Sequence, residues 1–157
     1  MTTQSLDHDG AIAVIDGRTY RLVVTPDMDV SINDYDCYGR YDWGIQSGWQ
    51  TRPPEDFDQE RTERLAILND VVFWEPPEGF ESWPHPAQQA LRHQVRDLVS
   101  FGFHVVTVER IDGTDAYGKP IVVDFDCIGG VDTIDSQELA YTADDLVCNL
   151  QHRAVTA

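Results

Sequence analysis

The most regular hydrophobic pattern in the chain lies between Ala87 and Phe101. Ala87, Leu91, Val95 and Leu98 recur at i, i+4, i+8 and i+11, which lines one face of a helix. Gly102 follows as a residue suited to the left-handed position that ends helices. A second helical stripe, Ala143, Leu146, Val147 and Leu150, predicts a helix from Ala143 to about Arg153. Thr142 stands where its N-cap is expected, and Asp145 matches the capping-box acid. A third helix is expected over Glu55 to Asn69. Pro53-Pro54 opens that segment, acids occupy its first turn, and Phe57, Leu65 and Leu68 form its stripe.

Elsewhere the period shortens to two. Ala11 to Ile15 and Thr19 to Thr25 flank Asp16-Gly17, the dipeptide that most favours a tight hairpin. Tyr20, Leu22 and Val24 alternate in the second run and predict one buried face. Phe103 to Ile111 and Ile121 to Ile128 read as an antiparallel pair joined through Asp112-Gly113 and Gly118-Lys119-Pro120, with Gly129-Gly130 ending the second strand. Cys37 to Gln50 carries Tyr38, Tyr41, Trp43, Ile45 and Trp49 among three glycines, which suits short irregular strands. Val71 to Trp74 suggests another short strand. Pro26 to Asp36 reads as an acidic loop and Glu75 to Pro86 as a proline-rich one.

Hairpins punctuated by helices, without regular βα alternation, predict an α+β fold: an antiparallel sheet with about three helices packed on one side. A length of 157 residues suits a single domain over 11–155, with 1–10 as a flexible tail. Hydrophobic residues at 41% and charged residues at 25% match globular averages and argue against disorder. No apolar run reaches the roughly 18 residues of a membrane span. The polar, acidic start lacks the pattern of a signal peptide, so the expected location is the cytoplasm. Cys37, Cys127 and Cys148 are widely spaced and odd in number, and are expected to be small buried hydrophobes rather than disulfide or metal ligands.

Charge changes the picture most. Asp and Glu total 28 against 11 Lys and Arg, for a net charge of −17. Lys119 is the single lysine. Such a chain lacks the clustered cations needed to hold nucleic-acid phosphates, and anionic membranes repel it. The acidity is also uneven. Asp27, Asp29, Asp34, Asp36 and Asp42 lie between Pro26 and Trp43 with Arg40 alone against them. Asp124, Asp126, Asp132, Asp135, Glu138, Asp144 and Asp145 lie between Pro120 and His152 with no Lys or Arg. Basic character gathers on the middle helix at Arg92, His93 and Arg96. These twelve acids form the candidate binding surface, set beside a plainer reading in which the charge serves only solubility or adaptation to salt.

Several chemistries can be weighed at these positions. The Asp27–Tyr38 stretch places oxygen ligands at alternate positions, as calcium loops do, but has Ile32 at the sixth position and Tyr38 at the twelfth, where Gly and Glu are needed. Asp124 and Asp126 share one face of a strand about 7 Å apart. They could hold a divalent cation with Asp132, or act as acid and base. The alternation assigns them more simply to the solvent face, with Ile121, Val123, Phe125 and Cys127 turned inward. His93 and Asp97 form a routine i, i+4 helix pair, and the histidines show no zinc spacing. No nucleophile elbow or phosphate loop occurs. No cofactor is expected.

The stretch Ile32-Asn33-Asp34-Tyr35-Asp36-Cys37-Tyr38-Gly39, with the later Ile128-Gly129-Gly130-Val131-Asp132 before a C-terminal helix, resembles a pattern in small uncharacterised acidic proteins of phages and their bacterial hosts. There a strand leads to an acidic loop and a Trp-Asp-Asn-x-Gly segment. Tyr35 and Cys37 replace the Trp and Asn of that pattern, and the resemblance covers about a quarter of the chain. It implies a phage or mobile-element origin and carries no activity. It favours an interaction protein that inhibits host machinery.

The leading expectation is therefore a non-enzymatic acidic protein that engages a basic, nucleic-acid-binding surface of a host protein as a DNA mimic. Seventeen charges match about 29 Å of duplex at one per ~1.7 Å, comparable with the span of a domain of radius of gyration about 15 Å. Two alternatives stand beside it. One is a divalent-cation-dependent enzyme or cation-binding module at Asp124, Asp126 and Asp132. The other is a structural or assembly protein using Tyr38, Tyr41, Trp43 and Trp49.

Overall fold

A computed structural model describes residues 5–67 and 70–156. In chain order these form β1 (Ile12–Ile15), β2 (Arg18–Asp27), β3 (Arg40–Asp42), β4 (Ile45–Ser47), β5 (Gln50–Arg52), β6 (Glu63–Ile67), β7 (Asp70–Glu75), α1 (His85–Phe101), β8 (Phe103–Thr114), β9 (Pro120–Val131) and α2 (Ser136–Thr156). Short 3-10 turns occupy Ile32–Asp34, Asp36–Tyr38 and Phe80–Ser82. The class is α+β with antiparallel sheets, as the sequence predicts. Among the described residues there are two α-helices rather than about three. The chain divides into two compact units: Met28–Gly102, and the segments before and after it.

The outer segments build a four-stranded antiparallel sheet in the order β1-β2-β8-β9. The β1–β2 hairpin turns on Asp16 and Gly17, both at positive φ (51° and 76°), so the dipeptide does what its sequence predicts. Tyr20 and Leu22 on β2, Val106 and Val108 on β8, and Ala13 on β1 point to one face. Leu139, Ala143, Leu146, Val147 and Leu150 of α2 join the same buried cluster. Each fully buried Leu or Val here contributes roughly 1.5–3 kcal/mol. Residues 5–10, expected within a tail, are tied to this unit. Leu6 is buried in the cluster, Gly10 N–H donates to Leu22 O at 2.8 Å, and Asp9 Oδ1 accepts from Val24 N–H at 2.9 Å.

Helix α2 begins two turns earlier than its apolar stripe suggests. Asp135, not Thr142, is the cap: its Oδ1 accepts from Glu138 N–H at 3.0 Å and its carbonyl accepts from Leu139 N–H at 2.9 Å. An aspartate at the N-cap satisfies donors that the first helical turn leaves open.

The Met28–Gly102 unit contains the sheet β3-β7-β6, the small hairpin β4-β5 and α1. Leu91, Val95 and Leu98 are the buried stripe of α1, and Gly102 at φ 77° ends it. The predicted helix over Glu55 to Asn69 does not form. Residues 55–61 turn instead, with Phe57 N–H donating to Pro54 O and Arg61 N–H to Asp58 O. Asp58 Oδ1 takes Glu60 N–H, and Glu75 Oε2 takes Asp58 N–H. These side chains consume donors that a helix would pair along its own axis. Residues 63–67 become β6 because Leu65 and Ile67 are buried while Arg64 and Ala66 are exposed, a period of two that outweighs the looser helical stripe. Leu68 and Asn69 of the expected helix lie outside the described residues.

Candidate functional site

The candidate acids fall on both units. Asp29, Asp34, Asp36 and Asp42 belong to the Met28–Gly102 unit, and the other eight to the sheet-and-α2 unit. Several serve local structure. Asp27 Oδ2 accepts from Gly130 N–H at 2.8 Å, which holds the Gly129-Gly130 step of β9 beside the end of β2. A side chain on Gly129 would crowd that carboxylate. Asp34 closes a capping box with Ser31, and Asp42 Oδ1 accepts from Gly44 N–H at 2.7 Å. Asn33 pairs with both backbone groups of Tyr41. Of the would-be calcium loop, Ser31 and Asp34 thus serve its own backbone, while Asp27 and Asn33 bond to Gly130 and Tyr41 outside it. Asp132 Oδ1 accepts from Thr133 Oγ1 at 3.3 Å, and Asp135 caps α2. Asp29, Asp36, Glu138, Asp144 and Asp145 are exposed, the last three along α2.

Asp124 and Asp126 form the one constructed constellation among the twelve. Their orientation reverses the expected one. Both are half-buried and turn toward α2, whereas Val123, Phe125 and Cys127 are exposed. The reason lies at the end of α2. Arg153 Nη2 reaches Asp126 Oδ1 at 2.9 Å, and its Nη1 reaches Asp124 Oδ1 at 3.3 Å. Asn149 Nδ2 donates to Asp126 Oδ2 at 2.9 Å. Arg153 Nη1 also donates to the carbonyl of Phe125 at 3.1 Å, while Asp124 Oδ1 accepts the Phe125 N–H at 2.9 Å. One guanidinium thus bridges the pair and offsets one of its two negative charges. Sequence reading overlooks Arg153 and Asn149. The trace that points to them is spacing: i, i+4 on a helix and i, i+2 on a strand both put side chains about 6–7 Å apart on one face.

Among the described residues no three His, Cys, Asp or Glu side chains converge as a metal-binding group. His93 and Asp97 pair on the surface of α1 at 3.4 Å, as their spacing predicts. Arg92 does not contribute to a basic patch. Its Nε and Nη2 meet Glu63 Oε1 and Oε2 at 2.7 and 3.0 Å, and it stacks over Phe80. The hydrogen bond to Glu63 raises its pKa against an opposing effect of burial.

The cysteines differ from expectation. All three are free and exposed, because Cys37 lies in a 3-10 turn, Cys127 on the open face of β9, and Cys148 beside the outward-facing residues of α2. Of the aromatics proposed for assembly, Trp49 at the β4–β5 hairpin is fully exposed and Trp43 half-exposed, whereas Tyr38 and Tyr41 are half-buried. Trp43, Trp49, Arg52, Arg64 and Phe73 line an open groove in this unit.

The open face of the β1-β2-β8-β9 sheet is of mixed character. Arg21 and Glu109 lie directly across β2 and β8, with Arg21 Nε and Nη2 both on Glu109 Oε1 at 2.9 and 2.7 Å. In register beside them are Ile12 on β1 and Phe125 on β9, respectively 45% and 57% exposed. No helix among the described residues is long and apolar enough to cross a membrane. No protein-family model, curated protein or solved structure matches the chain.

Proposed function

We propose that this chain is a non-enzymatic acidic binding protein that engages a basic surface of a partner protein, and that the partner is a nucleic-acid-binding host protein met in competition with DNA. The observation that carries this reading is the outer side of α2. Glu138, Asp144 and Asp145 are exposed there, within a stretch from Pro120 to His152 that has no Lys or Arg. A surface of one sign raises encounter rates with the opposite sign and rejects like-charged partners. The resemblance to small acidic phage and host proteins supports a bacterial host as the source of that partner.

The cation-dependent alternative has less behind it: among the described residues no three His, Cys, Asp or Glu side chains gather to hold a metal ion, and Asp132 does not join Asp124 and Asp126 in such a group.

The test is capture of proteins from bacterial lysate on the immobilised chain, with and without ~0.5 M salt and with competing duplex DNA. Screening shortens the reach of surface charge to about 3 Å at 1 M and about 10 Å at 0.1 M. Capture of nucleic-acid-binding proteins that both salt and DNA abolish supports the reading. Capture indifferent to both overturns it.

A further inference from the structure

We infer that the edge of β9, which no strand pairs among the described residues, is a docking site for an extended segment of a basic partner protein, which adds to the sheet as a fifth strand and replaces Arg153 at Asp124 and Asp126. The basic character of the occupant rests on the reading proposed above. The edge itself rests on independent geometry.

Strand β9 is 12 residues long and ends the order β1-β2-β8-β9. The backbone of Phe125 reveals which way its polar groups point. Its N–H is taken by Asp124 Oδ1 and its C=O by Arg153 Nη1, both side chains rather than a neighbouring strand. In an antiparallel ladder the N–H and C=O of one residue face the same neighbour, and the facing side alternates from residue to residue. Phe125 therefore turns its backbone to the open edge. The register Thr107↔Cys127, Val108↔Asp126 and Glu109↔Phe125 is unbroken, so Cys127 turns its own backbone the same way. An incoming strand would meet the backbone of Cys127 at the edge, and at Phe125 it would displace Asp124 Oδ1 from the N–H and Arg153 Nη1 from the carbonyl.

The side chains fit the same occupant. Exposed edges are usually guarded by lysine, proline or a covering element. β9 has no lysine, and its one proline is Pro120 at the first position, away from Phe125 and Cys127. Phe125 and Ile128 are instead 57% and 48% exposed. The guards on this edge are the register shifts against β8 and the inward-turned Asp124 and Asp126, which Arg153 holds together with the Phe125 carbonyl.

Charge decides between occupants. A second copy would set Asp124 and Asp126 against their own equivalents and bring together two chains of net charge −17. A partner strand carrying arginine supplies what the two carboxylates and the Phe125 carbonyl already hold in Arg153. The end of α2 thus occupies, within the chain, the position that a partner's cation would take. Strand addition of this kind draws affinity from main-chain hydrogen bonds and specificity from alternate side chains.

The experiment is an NMR titration of the full 15N-labelled chain with the acetylated, amidated peptide Thr-Val-Arg-Val-Arg-Val-Thr. The expected result is that the largest amide shifts fall at Phe125 and Cys127 and that hydrogen exchange slows there. N-methylating alternate peptide amides should weaken binding at least about tenfold, because main-chain bonds are lost. The Arg153→Ala chain should bind the peptide more tightly, since the competing guanidinium is gone. No shift at millimolar peptide, shifts centred on another element, or indifference to N-methylation would overturn the edge site. A peptide with Glu in place of Arg distinguishes the two readings. If it binds equally well at Phe125 and Cys127, the basic partner is overturned and the edge stands.

Discussion

Arg40 and Glu75 lie directly opposite one another where β3 pairs with β7, and their side chains meet as well, Nε to Oε1 at 3.1 Å. Arg40 also reaches Asp56 Oδ2 at 2.8 Å and lies 4.4 Å above the Phe57 ring. Burial pushes the Glu75 carboxyl up. The hydrogen bonds from Arg40 and from Asp58 N–H, with the attraction of Arg40 and Arg61, outweigh it and hold the group below the ordinary carboxylate range. One residue thereby joins β3, β7 and the turn after Pro54.

Because the folded Glu75 has the lower pKa, its contribution is present above the unfolded carboxyl's pKa and is lost as pH falls through the folded value. Glu75→Gln should destabilise the protein by about 1–3 kcal/mol at pH 7. The difference from wild type should shrink steadily in acid. Urea denaturation at a series of pH values checks this, and a difference that stays constant with pH would refute the assignment.

Gly39 precedes Arg40 at φ 74°, and a Cβ there would collide with the carbonyl of Glu75. Left-handed strain and steric overlap act together in Gly39→Ala. The expected loss is at least about 2 kcal/mol. Gly10 is also at positive φ but has open space around it, so Gly10→Ala should cost less. Comparing the two melting curves separates overlap from strain.

Tyr20 is wholly buried against α2, and its hydroxyl has no hydrogen-bond partner among the described residues. A buried, unsatisfied hydroxyl costs roughly 1–3 kcal/mol. Tyr20→Phe removes it and keeps the ring. The variant should be as stable as wild type or more so, by up to about 1 kcal/mol. A clear fall in melting temperature would show that the hydroxyl is satisfied in solution.

The start of α2 can be tested in the same way. Asp135→Ala should cost about 1 kcal/mol through loss of the cap, whereas Thr142→Ala, inside the helix, should change stability by less than about 0.5 kcal/mol. The reverse order would restore Thr142 as the cap.

What the sequence makes legible follows from how local the cause is. The Asp16-Gly17 hairpin and the end of α1 at Gly102 are set by a few adjacent residues, and both are found where expected. The stretch from Glu55 misleads because its backbone donors are taken by carboxylates, Glu60 N–H by Asp58 and Asp58 N–H by Glu75, the latter 17 residues away and outside the stretch. On β9 the alternation is correctly seen but its faces are exchanged. Apolar residues ordinarily turn inward, yet Asp124 and Asp126 do so here because Arg153 and Asn149 meet them. That compensation comes from 23 to 29 residues away and leaves no mark in the strand itself. The charge pattern is legible as composition, while the use of Asp27, Asp34, Asp42 and Asp135 as backbone caps is visible only in the fold.

The register of β2 with β8 ends at Asp27 and Phe103, so the two ends of the Met28–Gly102 unit emerge from adjacent, paired strands. In effect a hairpin turn has been lengthened to about 75 residues. During synthesis the β1–β2 hairpin leaves the ribosome first and then waits for its neighbour. At roughly 5–20 residues per second, that wait is on the order of 4–15 s. For that interval Tyr20 and Leu22 have neither β8 beside them nor α2 above them.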